Sequence, residues 1–165
     1  MQDKSLLKMV HLALLGALVF VATYFIKIVM PIGYIHVGDG MIMAGAVLLG
    51  PIVWIPAAMG SALADLMLAY TAYILPTFLI KGLMGYTAGM LIQRVKQPVM
   101  AAMVFLIAEA IMVMGYYAAE SFMYGPNGAL AGVLPNTIQG ISGIVIGLAL
   151  YPVMLKLKKR FIHAL

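Results

Sequence analysis

Residues 40–80 are nearly continuously apolar, and Asp65 is the one charged side chain among them. A stretch of that length cannot be solvated along its course by so little charge. The whole chain has the same character: of its 165 residues 65% are hydrophobic and 9% charged, where a soluble domain carries about 25% charged residues. Mean hydropathy is +1.09. A helix that crosses a bilayer needs roughly 20 mostly apolar residues, so six of them would use about 120 residues and leave only short loops. The expectation is a single all-α integral membrane domain over residues 1–165, with no soluble domain.

Breaks in the apolar pattern predict six transmembrane helices at about 6–28, 40–49, 52–68, 77–92, 99–121 and 136–155. Gly50-Pro51 divides the second from the third, since proline lacks a backbone donor and glycine tolerates turn geometry. "QRVKQP" and "MYGPNGALAGVLP" read as loops. The N-terminal stretch has an early lysine, as a signal peptide does. Its apolar run is too long for one and lacks a clear cleavage site, so it reads as a retained first span.

The net charge of +5 does not point to nucleic acid, because the bases cluster at span ends. Lys4 and Lys8, Arg94 and Lys96, and then Lys156, Lys158, Lys159 and Arg160 account for eight of the ten. Six spans with both termini in the cytoplasm put all eight on one side, as the positive-inside rule requires.

That topology gathers His36, Asp39, Tyr70, Tyr73, Glu120, Asn127, Asn136 and Gln139 at the outer end. Lys27 closes the first span there, Asp65 sits in the outer half of the third and Lys81 about one turn into the fourth. Only Glu109 falls near mid-membrane. Charged groups inside a span are costly and face a cavity or a partner. Polar groups converging at one mouth, with tyrosines for flat contact, describe a small-molecule pocket.

Structural roles compete with binding at several positions. Lys81 either pairs with Asp65 or meets a ligand, and Asp39 either caps the second helix or meets one. His36 is placed either in solvent or on the pocket. Asn136 and Gln139 share a helix face; a cap at Asn136, after Pro135, would leave Gln139 unexplained. Tyr116 and Tyr117 point in different directions, so at most one lines a given pocket. Small residues recur at helix-contact spacing at Ala13 and Ala17, at Gly85 and Gly89, and at Gly140, Gly143 and Gly147. Each set serves internal packing, or, on the first helix, an outward contact with a partner.

Several chemistries find no support. There is no GxxxxGK[ST] loop for ATP hydrolysis. There is no HExxH and no cysteine, and His11, His36 and His163 are scattered, so neither a metal site nor a cofactor is expected. No histidine is placed to activate Ser61. The two halves show no inverted repeat of the kind many secondary transporters carry.

"GYIHVGDGMIMAGAVLLGP", "GSALADLMLAYTAYILPTFLIKGLMGYTAG" and "PNTIQGISG" together resemble the substrate-binding S components of energy-coupling factor (ECF) vitamin importers. The likeness covers roughly residues 8–155 and is greatest to the group with riboflavin, hydroxymethylpyrimidine and pyridoxine S components. It implies the six-helix S-component fold, a bacterial cell-membrane location and no enzymatic activity of the chain's own. It also implies a partner assembly of a transmembrane coupling subunit and two ABC ATPases, which hydrolyse the ATP. The family's AxxxA pattern, matched by Ala13 and Ala17, implies docking of the coupling subunit on the first helix. The family mechanism implies capture of a vitamin outside, toppling of the whole subunit in the bilayer, and release inside.

Candidate substrate contacts by position are Lys81, Glu120, Asn136, Gln139 and Tyr116 or Tyr117. Asp65 would support Lys81, and Asp39 and His36 would sit on the loop that closes over the vitamin. The many polar groups favour pyridoxine or hydroxymethylpyrimidine, with riboflavin next, since a flavin wants a larger and more apolar slot. The rival is an autonomous secondary transporter or channel with Asp65 and Lys81 as an ion path. A purely structural membrane subunit is the third reading.

Overall fold

A computed structural model of the chain describes residues 4–30 and 32–164. The side chains of Lys4, Arg160 and His163 lie outside the described residues. The described residues form six helices and one short hairpin: α1 (Lys4–Phe25), β1 (Lys27–Val29), β2 (Tyr34–His36), α2 (Gly38–Leu49), α3 (Trp54–Met67), α4 (Ile74–Ile92), α5 (Pro98–Tyr124) and α6 (Pro126–Ala164). Single 3-10 turns at Gly50–Val53 and Thr71–Tyr73 lead into α3 and α4. Among the described residues five stretches are, by length and composition, long and apolar enough to cross a membrane, with α2 and α3 together forming one of them, Gly38–Met67.

That stretch is not a straight rod. Gly50 has a φ of 67°, which favours glycine, and Pro51 follows it. The turn packs against Gln93 at the end of α4, whereas Asp39 and Asp65, near the other ends of α2 and α3, reach Lys81 and Tyr34. The chain therefore folds back on itself at Gly50–Val53. With 12 and 14 residues, α2 and α3 are only about 18 and 21 Å long. The 22-residue α1 is about 33 Å long. Two short helices among longer ones leave a recess, and the β-hairpin fills its mouth.

Several boundaries differ from the sequence expectation, three of them with consequences for the fold. The first helix stops at Phe25 rather than Ile28, because Lys27–Val29 pair antiparallel with Tyr34–His36. The expected loop at 123–135 is almost entirely helical: the chain passes from α5 to α6 through Gly125 alone, at φ 79°. Pro126 opens α6, where its missing N–H costs nothing, and Pro135 and Pro152 lie inside that helix. Asn136 is consequently not at a helix start and cannot cap one. The sixth helix also runs on to Ala164, past the expected end at 155.

Small residues set the helix contacts. Gly85 faces Ala57, Gly89 faces Gly50 and Pro51, and Gly147 faces Met43 and Phe105, each at a separation that leaves little or no room for a Cβ. Ala13 and Ala17 instead point outward from α1 and are exposed. Large apolar side chains such as Leu14, Leu79, Leu106 and Val145 are exposed around the bundle, as a lipid-facing surface requires. At one end Lys158 bonds Gln93 and the Tyr151 hydroxyl donates to the Val95 carbonyl at 3.3 Å, so the basic end of α6 lies beside Arg94 and Lys96. The hairpin is at the opposite end.

Candidate functional site

Asp39 lies in the first turn of α2, but it does not cap that helix: the capping position is Val37, and no side chain bonds there. Its carboxylate joins three other elements. Lys81 of α4 donates to Oδ1 at 2.6 Å, and Gln139 of α6 donates through Nε2 to Oδ2 at 2.8 Å. The Gln139 amide oxygen accepts the backbone N–H of His36 at 3.1 Å, which ties β2 to the same cluster. The side chains of Asp39 and Lys81 are 0% exposed, and the ammonium lies 5.5 Å from the centre of the Tyr116 ring.

The expected pairing of Lys81 with Asp65 is thus replaced by Lys81 with Asp39. The reason is depth. Lys81 lies about two turns into α4 and meets the start of α2, whereas Asp65, in the last turn of α3, is level with Thr77 and the hairpin. Asp65 accepts the Tyr34 hydroxyl on Oδ1 at 2.6 Å. Burial and the neighbouring carboxylate push the Tyr34 hydroxyl well above its ordinary range, so it stays a donor.

His36 is buried rather than solvated. Its Nδ1 accepts the Gly38 N–H at 3.1 Å, which places the ring proton on Nε2 in the neutral form. Burial, partly offset by Asp39, lowers its pKa to about 4, so the ring is uncharged at neutral pH.

Above this cluster is a cavity between the hairpin and the adjoining ends of α3, α4, α5 and α6. Its aromatic wall is a run of rings: Tyr34 to Tyr70 at 5.1 Å, Tyr70 to Tyr73 at 6.3 Å and Tyr73 to Tyr116 at 6.5 Å between centres. Its polar wall comprises His36, Asp65, Thr77, Glu120, Asn136 and Gln139. The free volume is about 30 Å³, room for about two water molecules.

The two carboxylates on the wall are each half-satisfied. Asp65 Oδ2 has no hydrogen bond: Thr77 lies beside it, but the Thr77 hydroxyl is 2.9 Å from that of Tyr116. Glu120 accepts the Tyr73 hydroxyl on Oε1 at 3.3 Å, while Oε2 rests against Gly132 without a donor. A third carboxylate, Glu109 of α5, is away from this wall and lies against Gly140 and Gly143, neither oxygen hydrogen-bonded.

Of the residues singled out from the sequence, His36, Asp65, Tyr116, Glu120, Asn136 and Gln139 are brought together on the cavity wall. Asp39 and Lys81 lie beneath it, holding each other. Tyr117 is half-buried elsewhere on α5. Sequence reasoning did not single out Tyr34 or Thr77, and it placed Tyr70 and Tyr73 at this end without assigning them contacts. The signal for Tyr34 was present in the alternation of "YIH", which puts Tyr34 and His36 on one side of a strand. Among the described residues no three His, Cys, Asp or Glu side chains converge as metal ligands.

Comparison with known proteins gives this site its context. Residues 3–158 match the family described as "ECF-type riboflavin transporter, S component". An uncharacterized protein of Pyrococcus woesei is 36% identical over 132 residues, 78% of this chain and 88% of that protein. The thiamine precursor transporter HmpT of Lactococcus lactis is 34% identical over 92 residues, 56% of this chain and 51% of that protein. The match to the S-component family spans nearly the whole chain, and the chain belongs to it: a multi-pass membrane subunit of an ECF-type vitamin transporter, not an enzyme.

Proposed function

We propose that this subunit captures a small heteroaromatic vitamin or vitamin precursor in the cavity under the hairpin. A coupling module of one transmembrane subunit and two ABC ATPases then drives its delivery inward. The observation that carries this reading is the cavity itself: a wall of tyrosine rings with buried, half-satisfied carboxylates, covered by a hairpin. Pyridoxine and hydroxymethylpyrimidine come before riboflavin as substrates, because the wall is rich in polar groups and the Lactococcus relative is named for a thiamine precursor. Six membrane crossings with both termini cytoplasmic agree with the basic end of the bundle under the positive-inside rule. The cavity then opens outward.

A cavity of about 30 Å³ admits a vitamin only if its cover moves. Three contacts hold the cover down: Gln139 on His36 N, Tyr34 on Asp65, and the Tyr70 hydroxyl on the Gly33 carbonyl at 3.4 Å. Lifting the hairpin breaks all three, and closing over a ligand restores them. An ion path through Asp65 and Lys81 is the weaker reading, since the lysine is held by Asp39 and its side chain is fully buried.

Thermal stabilisation of the purified chain against a vitamin panel tests the proposal. A ligand at 100 times its Kd adds about 2.7 kcal/mol, and one vitamin is expected to give such a shift without the ATPases. A folded sample that responds to no vitamin sinks the receptor reading.

A further inference from the structure

The charge around the cavity is one-sided. Asp65 and Glu120 stand on its wall, and among the described residues no lysine or arginine lines it with them. Beneath it, Lys81 and Asp39 neutralise each other at 2.6 Å. His36 and Tyr34 from the hairpin, Tyr70 and Tyr73 from beside the start of α4, and Tyr116 from α5 are the other titratable groups facing it. Thr77, Asn136 and Gln139 complete the polar wall and carry no charge.

Both carboxylates are 3% exposed, and each has one oxygen bonded to a tyrosine and one oxygen with no donor. Burying a carboxylate without its hydrogen bonds is costly, so the complement of this wall is a group that brings N–H donors and positive charge. The rings of Tyr34, Tyr70 and Tyr73 favour the same ligand, because ring faces attract cations, whereas Tyr116 already lies 5.5 Å from the Lys81 ammonium.

We propose that the cavity takes its ligand as a cation, a flat protonated or amino-bearing nitrogen heterocycle whose N–H groups meet the carboxylates of Asp65 and Glu120 among the tyrosine rings. This specifies the charge of the substrate at the site proposed above and rests on that reading. It disfavours a neutral flavin, which brings many acceptors, and any phosphorylated vitamin, whose anion would face two carboxylates.

Isothermal titration of the full chain tests it with five probes: hydroxymethylpyrimidine, pyridoxine, thiamine, riboflavin and pyridoxal phosphate. The tightest ligand is expected among the first three, each of which carries a ring nitrogen that can take up a proton or, in thiamine, bears a fixed positive charge. Asp65→Asn and Glu120→Gln, near-isosteric changes, are each expected to weaken that ligand at least tenfold. Riboflavin or pyridoxal phosphate binding tightest overturns the inference and leaves the receptor reading standing. So does unchanged affinity in both variants. No binding by any probe to folded protein overturns both. The comparison among probes needs no variant, so a variant that fails to fold does not remove the test.

Discussion

Lys81 shows how a costly residue becomes a structural one. An ammonium in a membrane protein's interior needs a counter-charge, and Asp39 supplies it at 2.6 Å with Gln139 on the other carboxylate oxygen. Removing one partner leaves the other buried and uncompensated, which costs about 3–5 kcal/mol. Lys81→Met and Asp39→Asn are each expected to lower unfolding stability in detergent by about that amount. The double variant should lose clearly less than the sum, because it leaves no orphaned charge. Strictly additive losses would show that the pair does not act as a unit. The sequence marked Lys81 as a costly charge in need of a partner, and it read Asp39 only as a cap or a residue of the covering loop. It paired Lys81 with the wrong carboxylate because helix-end depth, set by the short α2, is not visible in the spacing between residues 65 and 81.

At the scale of elements, the hairpin is joined to the bundle through few bonds, and Gln139 makes the central one. It bridges Asp39 Oδ2 and the His36 N–H, so it couples the cover to the buried ion pair. Gln139→Leu removes both bonds while keeping a side chain of similar size on α6. Hydrogen exchange across residues 27–37 is the readout: protection is expected to fall at least tenfold there and to stay unchanged in α5. Equal protection in both proteins would mean that Tyr34 on Asp65, Tyr70 on the Gly33 carbonyl and the strand pairing hold the cover without Gln139. This element was not legible in advance. Three-residue strands leave too short a pattern to register beside long apolar runs, and Lys27-Ile28-Val29 continued the first helix's hydrophobicity. The segment at 123–135 misled in the opposite direction. Its Gly, Pro and Asn residues are turn formers, yet only Gly125 breaks the helix, since Pro126 stands at a first position and Pro135 is accommodated within α6.

Across the whole molecule two surfaces are separated. The cavity lies at the hairpin end, while Ala13, Gly16 and Ala17 of α1 line a long apolar groove with Pro56, Gly60 and Leu63 of α3. Gly60 packs directly on the Gly16 carbonyl, so the helices touch at backbone distance and the groove floor is flat. In the proposed transporter the first surface binds the vitamin and the second receives the coupling subunit. Each is then open to injury without harm to the other. Ala13→Trp or Ala17→Trp fills the groove from an exposed position and touches nothing at the cavity. Vitamin-induced thermal stabilisation is expected to survive in either variant, and uptake by cells supplying the ATPases is expected to fall to the level of cells without them. Loss of binding along with uptake would mean that the groove supports the cavity rather than a partner. Uptake that persists in cells lacking the ATPases would favour the autonomous transporter, because a subunit that only receives its ligand has no other source of work.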